Sequence, residues 1–360
     1  MVFTLPGFRL PVAFTCALFL AACESSDTSR YPLRPAEGAS LEVPQWTVEH
    51  SGLYIRQMVL DDSGNTGWAL ASDKRVFRLS RGQWTLDTTL VAPVGNANFS
   101  FHLGRDGRSG WIFSDRGVLR YTGARWEMAD SLLRADAAWV SSDGARGWAF
   151  SSNRSYRLSG GRWVPQPPGP LFIDFVAFND EGTVGWAETS LGEMARFAGG
   201  RWAILPKPAP LRQLRVSSDG IALGVDYGGG IWRGTATEWV REDSVAIDIA
   251  DLWVGPGGHR GWIVGSEGVY QRQQGHPLHR VLHALPGVIE GIWMNRDGSR
   301  GVVYGEEGIL AQFRDGQWHA ENPLRAFAGG FGTGSFHAIW MDAEGTRGWA
   351  VTRRGLVVRY

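Results

Sequence analysis

The strongest constraint on this chain is a repeat. The stretch 138–163 (AWVSSDGARGWAFSSNRSYRLSGGRW) holds four short apolar runs separated by glycine-rich turns, and the pattern recurs along most of the sequence. The second run carries an aromatic residue just after a glycine at Trp68, Trp111, Trp148, Trp186, Trp262 and Trp349. Gly224 and Val302 stand in for it in two further copies. These eight positions are spaced between 37 residues (Trp111 to Trp148) and 47 residues (Val302 to Trp349), close to the ~40–45 residues of a four-stranded propeller blade.

Each copy reads as four strands, here A to D. Strand A, such as 292–294, ends at Asp297-Gly298, an Asp-Gly turn signal. Strand B, such as 262–264, ends in a glycine-bearing turn, and strand C, such as 118–121, turns at Thr122-Gly123-Ala124. Strand D starts at a tryptophan: Trp84, Trp126, Trp163, Trp202, Trp239 or Trp318. Runs this short between Gly and Asp turns are strands, because a helix needs ~10–12 periodic residues. Strand A carries apolar residues on both faces in several copies (Ile292, Trp293, Met294; Ile339, Trp340, Met341), the pattern of a strand buried on both sides.

One blade cannot bury such faces alone, so the fold class is all-β: an eight-bladed propeller of four-stranded antiparallel blades over residues 45–360. The last copy stops after its third strand at Tyr360, and 44–48, with Trp46, reads as the missing fourth. Pairing the two would close the ring. An open solenoid is the alternative, and it leaves Trp46 unexplained. Nearly all of the 18 tryptophans are accounted for as blade-to-blade packing, since each can bury ~150–250 Å².

Residues 1–22 stand outside the repeat. Arg9 is the only charge ahead of a short apolar run, 12–20. That run is too short to span a bilayer and reads as the hydrophobic segment of a signal peptide. It ends in Leu20-Ala21-Ala22-Cys23. This tetrapeptide resembles the bacterial lipobox, and the resemblance implies removal of residues 1–22 and lipidation (palmitate included) of Cys23. An ordinary secretory peptide with a chance cysteine is the alternative. With Cys16 removed, Cys23 is the only cysteine left, so neither a disulfide nor a cysteine metal site is expected. Glu24 rather than Asp follows it, which by resemblance to the sorting rule of enteric bacteria implies an outer-membrane lipoprotein facing the periplasm or the cell surface. Residues 23–44 are polar, with Ser and Pro and no period, and read as a flexible tether.

The repeat resembles the bacterial propellers of the photosystem II assembly factor-like and sialidase-like (BNR repeat) group. The likeness runs through Gly147-Trp148-Ala149-Phe150, Gly261-Trp262-Ile263-Val264-Gly265 and Gly348-Trp349-Ala350-Val351. The Asp box of that group is present only in shortened form, at Gly160-Gly161-Arg162-Trp163 and Asp315-Gly316-Gln317-Trp318. The resemblance implies the fold and leaves the activity open.

Candidate site residues come from aligning the copies on the turn glycine that follows strand A. Eight positions before it stand Arg56, Phe99, Asp136, Asp174, Arg212, Ala250, Glu290 and His337, after a mostly apolar column (Ile55, Ile173, Leu211, Ile249, Ile289, Phe336). The charged members form a collar expected at the mouth of the central channel. It is read either as a ligand- or peptide-binding ring, or as wet channel-mouth residues that pair with one another. The long D-to-A connections (91–98, 165–170, 206–210, 322–335) and the B-to-C turns share that rim, where binding residues concentrate. The turns carry a charge split: Glu267, Glu306 and Glu307 against Arg353, Arg354, Lys74 and Arg116. His102 and Arg215 occupy a column held elsewhere by Trp139, Trp253, Trp293 and Trp340.

Charge excludes one class of partner. The chain has 36 basic and 36 acidic residues, with no polybasic patch for nucleic acid. Nucleophile elbow, Walker loop, His-Glu-x-x-His and calcium-loop patterns are absent, so no cofactor or metal is expected. The reading is a lipid-anchored, non-enzymatic envelope scaffold that meets the membrane through its lipid and binds a protein partner or a polysaccharide. The alternative is a glycan-active hydrolase or lyase using a carboxylate pair at the mouth, Asp136 with Asp174, ~5–10 Å apart.

Overall fold

A computed structural model describes residues 47–50, 54–71, 75–87, 100–114, 116–151, 154–167, 172–206, 209–283, 287–321 and 335–360. All lie in one of its two units, Ser40–Tyr360. The described part is an eight-bladed β-propeller, each blade an antiparallel sheet of four strands. Blade 4 is representative: Ile173–Phe178, Gly185–Thr189, Met194–Ala198 and Arg201–Leu205. Apart from single 3-10 turns such as Pro256–Gly258 and Glu306–Gly308, the described regular structure is strand.

The A strands pack on one another around the axis, the last on the first. Strand Thr47–His50 completes blade 8 by pairing with Val357–Arg359, Thr47 opposite Arg359 and Val48 opposite Val358. Trp46 lies outside the described residues, as do the lipobox, Cys23 and the tether.

Strand B, rather than strand A, is the fully buried one. All five residues of Gly110–Ser114 and of Gly348–Thr352 are buried, whereas the four residues of Ala137–Val140 are half-buried. The reason is position. Strand B has sheet partners on both edges and a neighbouring blade on each face, while strand A lines the axial channel.

The tryptophans join blade to blade. Each described strand-D indole meets, edge-on, the strand-B indole of the preceding blade: Trp126 on Trp68, Trp163 on Trp111, Trp202 on Trp148, Trp239 on Trp186, Trp318 on Trp262 and Trp84 on Trp349. Ring centroids are 5.0–5.8 Å apart, the spacing that favours T-shaped aromatic pairs. The strand-A indoles reach forward too. Gly64, at φ +65°, supports Trp340 of blade 8, and a Cβ there would sit 2.8 Å from its ring.

The junction of blades 5 and 6 departs from this scheme. Leu223, not Gly224, occupies the strand-B tryptophan column, since it pairs with Arg215 as Trp186 pairs with Ala177. The offset comes from the A-to-B turn: Ser217 N–H meets the carbonyl of Ile221, four residues on, where Asn179 meets Val184, five residues on. A turn one residue shorter misleads any count made from the turn glycine. Blade 6 lacks the strand-D tryptophan as well, and Arg272, only 3% exposed, fills the core position. Its guanidinium donates to Glu242 of blade 5 (Nε at 2.8 Å) and to the carbonyl of Gly258. Glu242 also accepts from Arg233 at 2.6 Å. Losing both indoles leaves room for an arginine, and the carboxylate supplies the partner a buried cation requires.

Candidate functional site

The collar has a backbone cause. In six blades the ladder between strands A and B skips one residue: Ile55 pairs with Ala71 and Gln57 with Leu70, leaving Arg56 unpaired. The skipped residues in the other five are Asp174, Arg212, Ala250, Glu290 and His337. These are β-bulges, which take one residue out of the ladder and re-aim its side chain. A polar residue between apolar ones is the sequence trace of that bulge. Asp136 sits just ahead of its strand, with its N–H donating to Phe150 at 2.7 Å, and its side chain is exposed. Phe99 and the side chain of Asp174 lie outside the described residues, so the Asp136–Asp174 pair does too.

Collar residues reach one blade forward. Arg212 pairs with Asp248 of blade 6, a residue that the column alignment does not pick out because it precedes strand A. Glu290 of blade 7 accepts from Arg353 of blade 8 at 3.0 Å. His337 of blade 8 donates from Nε2 to the carbonyl of Ile55 in blade 1, and its Nδ1 is buried without a partner. Burial holds the His337 imidazole below its ordinary pKa, against the opposing pull of the Ile55 carbonyl and Glu290. Arg56, exposed, borders a cleft of about 260 Å³ with Tyr54, Ile55, His337 and Arg353.

Below the collar lies a second polar layer. Arg215 donates to Asp251 at 2.5 Å, and Asp251 accepts from the Ile292 backbone at 3.5 Å. Burial raises the Asp251 pKa although Arg215 opposes it. The Tyr304 hydroxyl is raised as well, first by burial and then by the Asp251 carboxylate. Gly291, opposite Tyr304 in the sheet, leaves the space its ring needs. Asp251 and Glu290 both push the Tyr304 hydroxyl up, and each is held by its own arginine, Arg215 and Arg353. Among the described residues no group of three or more His, Cys, Asp or Glu side chains could hold a metal ion. No helix among them is long and apolar enough to cross a membrane.

The rim around the collar differs from the opposite rim. Exposed large apolar side chains in its loops are Tyr54, Leu132, Phe172, Leu191, Tyr227 and Val288, with Leu132 88% and Tyr227 76% exposed. Each precedes a strand A or sits in a B-to-C turn. Among the described residues the A-to-B and C-to-D turns of the other rim expose none; the remaining four (Leu86, Met128, Val164, Ile204) are on outer strands. The split in turn charge stands: Glu267, Glu306 and Glu307 are exposed on blades 6 and 7, Arg353 and Arg354 on blade 8 and Arg116 on blade 2, with Lys74 outside the described residues.

No protein-family model matches the chain, and no curated protein does. Solved structures do. A structure of YCF48 bound to D1 peptide aligns with a TM-score of 0.54 at 16% identity, over 91% of this chain and 96% of that one. The C-terminal WD40 domain of Sif2 aligns with a TM-score of 0.57 at 11% identity, over 87% and 98%. At such identities the likeness is one of fold, and this chain is similar to both in being a β-propeller.

Proposed function

We propose that this protein is a non-catalytic scaffold that presents its collar face to a protein partner, held at the outer membrane of a bacterial envelope by lipid on Cys23. The observation that carries the reading is the one-sided distribution of exposed apolar side chains. Six sit in the loops of the collar rim, interspersed with acidic and basic arcs, and the described turns of the other rim offer none. Apolar side chains confined to one rim and interspersed with charge suit a protein-binding surface. Arg212, Arg215, Glu290 and His337 inside the mouth are each spent on a neighbouring blade, which favours rigidity over turnover. The neighbour bound to a D1 peptide supports a propeller of this kind taking a polypeptide ligand.

The test is site-specific photo-crosslinking in native membranes. Probes at Leu191 and Tyr227 are expected to give a defined protein adduct that probes at Asp106 and Glu344, on the other rim, do not give. The triple variant Tyr54→Ser, Phe172→Ser, Tyr227→Ser should fold normally and lose the adduct. Capture from the other rim only, or an adduct unaffected by the triple variant, would remove the collar as the docking face. Cys23→Ser should release the protein from the membrane fraction; retention there would remove the lipid anchor.

A further inference from the structure

Strand C carries a column that packing alone does not explain. Among the described residues, six blades have an indole in strand B, and in five of them arginine stands opposite. Arg78, Arg120, Arg157, Arg196 and Arg359 face Trp68, Trp111, Trp148, Trp186 and Trp349. Four of these guanidinium groups lie 5.6–5.8 Å from the indole centroids, within range of cation–π attraction. Blade 6 breaks the pattern: Gln271 faces Trp262. A neutral, shorter side chain cannot supply the cation.

A cleft of about 240 Å³ opens at this place. Trp253, Trp262 and Gln271 stand side by side on strands A, B and C and form one wall. Arg260 and, from blade 7, Asp297 line it as well. Gly298 closes against Trp253, so that a Cβ there would sit 2.6 Å from the indole. The Trp253 side of the wall is therefore closely packed. Asp297 is exposed and holds its charge, because hydrogen bonds from Ser299 keep its carboxyl below the ordinary range.

Blade 8 shows what fits. Trp340, Trp349 and Arg359 stand there in the same register as Trp253, Trp262 and Gln271. Arg347 precedes Trp349 by two residues, as Arg260 precedes Trp262. In blade 8 a turn arginine, held by Asp342 at 3.2 Å, thus coexists with a guanidinium over the indole; in blade 6 Gly255 stands at the Asp342 position and Arg260 lines the cleft.

We propose that the cleft between blades 6 and 7 receives an arginine side chain from a partner protein, its guanidinium lying over Trp262 in the place the chain's own arginines take in other blades. Asp297 supplies the counter-charge, and the planar cation gains both the ring face and a hydrogen-bond acceptor. The cleft belongs to the A-to-B rim, opposite the collar, so it stands whether or not the collar docks a partner.

The test uses the full chain labelled with 5-fluorotryptophan and, as probe, N-acetyl-arginine amide, with the neutral isostere N-acetyl-citrulline amide as control. The fluorine signal that disappears in Trp262→Phe is expected to shift with the arginine probe and to saturate at roughly millimolar concentration, the strength of a single side-chain contact. The citrulline probe should leave it in place. Gln271→Arg fills the cleft from within, as in blade 8, and should abolish the response. Asp297→Asn, on the surface, should weaken it several-fold, and serves alone if Gln271→Arg does not fold. Equal response to citrulline, a response that survives Gln271→Arg, a shift produced by chitotriose and not by arginine, or no shift at all would each overturn the assignment.

Discussion

The indole Nε1 of Trp349 donates to the carbonyl of Gly64 at 3.1 Å, across 285 positions of the chain. The same bond joins Trp111 to Gly144 and Trp186 to Gly220 inside the ring. The junction of the last blade with the first is therefore built like the internal ones. Trp84 lies edge-on to Trp349 at 5.7 Å, and Thr47–His50 pairs with Val357–Arg359. Strand pairing and side-chain packing close the propeller together, which an open solenoid cannot do.

That junction can be weighed by substitution. Trp349→Phe keeps an aromatic ring but removes the donor, and is expected to cost about 1 kcal/mol. Trp349→Ala removes the ring from a site that is 2% exposed, and should cost about 3–5 kcal/mol. Equilibrium urea denaturation reads both. An alanine variant as stable as the parent would show that this contact does not hold the ring shut.

The buried ion cluster between blades 5 and 6 predicts a non-additive pair. Glu242→Gln leaves Arg272 in the core without its counter-charge, and should cost about 3–5 kcal/mol. Adding Arg272→Leu removes the stranded cation and should recover more than half of the loss. The double-mutant cycle checks this. Simple addition of the two single effects would mean that Glu242 and Arg272 act independently.

His102 makes stability depend on pH. It is half-buried with its Nε2 enclosed, and desolvation takes its pKa from 6.5 to about 4. The folded state thus prefers the neutral ring, while the unfolded chain accepts a proton near pH 6.5. The full contribution of the neutral ring is present above pH 6.5 and is lost as pH falls toward 4, at ~1.4 kcal/mol per pH unit and about 3 kcal/mol in all. His337, shifted in the same direction, adds to the slope. Denaturation of the parent and of His102→Phe at pH 7 and pH 4.5 separates the terms, since carboxylates shared by both proteins cancel in the difference. A stability gap that stays constant between the two pH values would refute the assignment.

Sequence alone carried the blade count, the strand order and the packing role of the tryptophans, because those follow from local rules. Glycine and aspartate mark the turns at Gly64, Gly144 and Gly298, and the tryptophan that recurs in the second strand of six copies must find a partner outside its own blade. The collar showed itself as a polar column, since a bulge at Arg56 or Glu290 interrupts the alternation of a strand. Three things required the tertiary structure. Burial of strand B over strand A depends on which strand borders the channel. The true place of Leu223 depends on a turn one residue shorter than its siblings. The pairs Arg212–Asp248, Glu290–Arg353 and Arg272–Glu242 join side chains 36, 63 and 30 positions apart. Each pair crosses from one blade to the next. Residues in different repeats come together only when the ring closes, and no local pattern in the chain records which of them will meet.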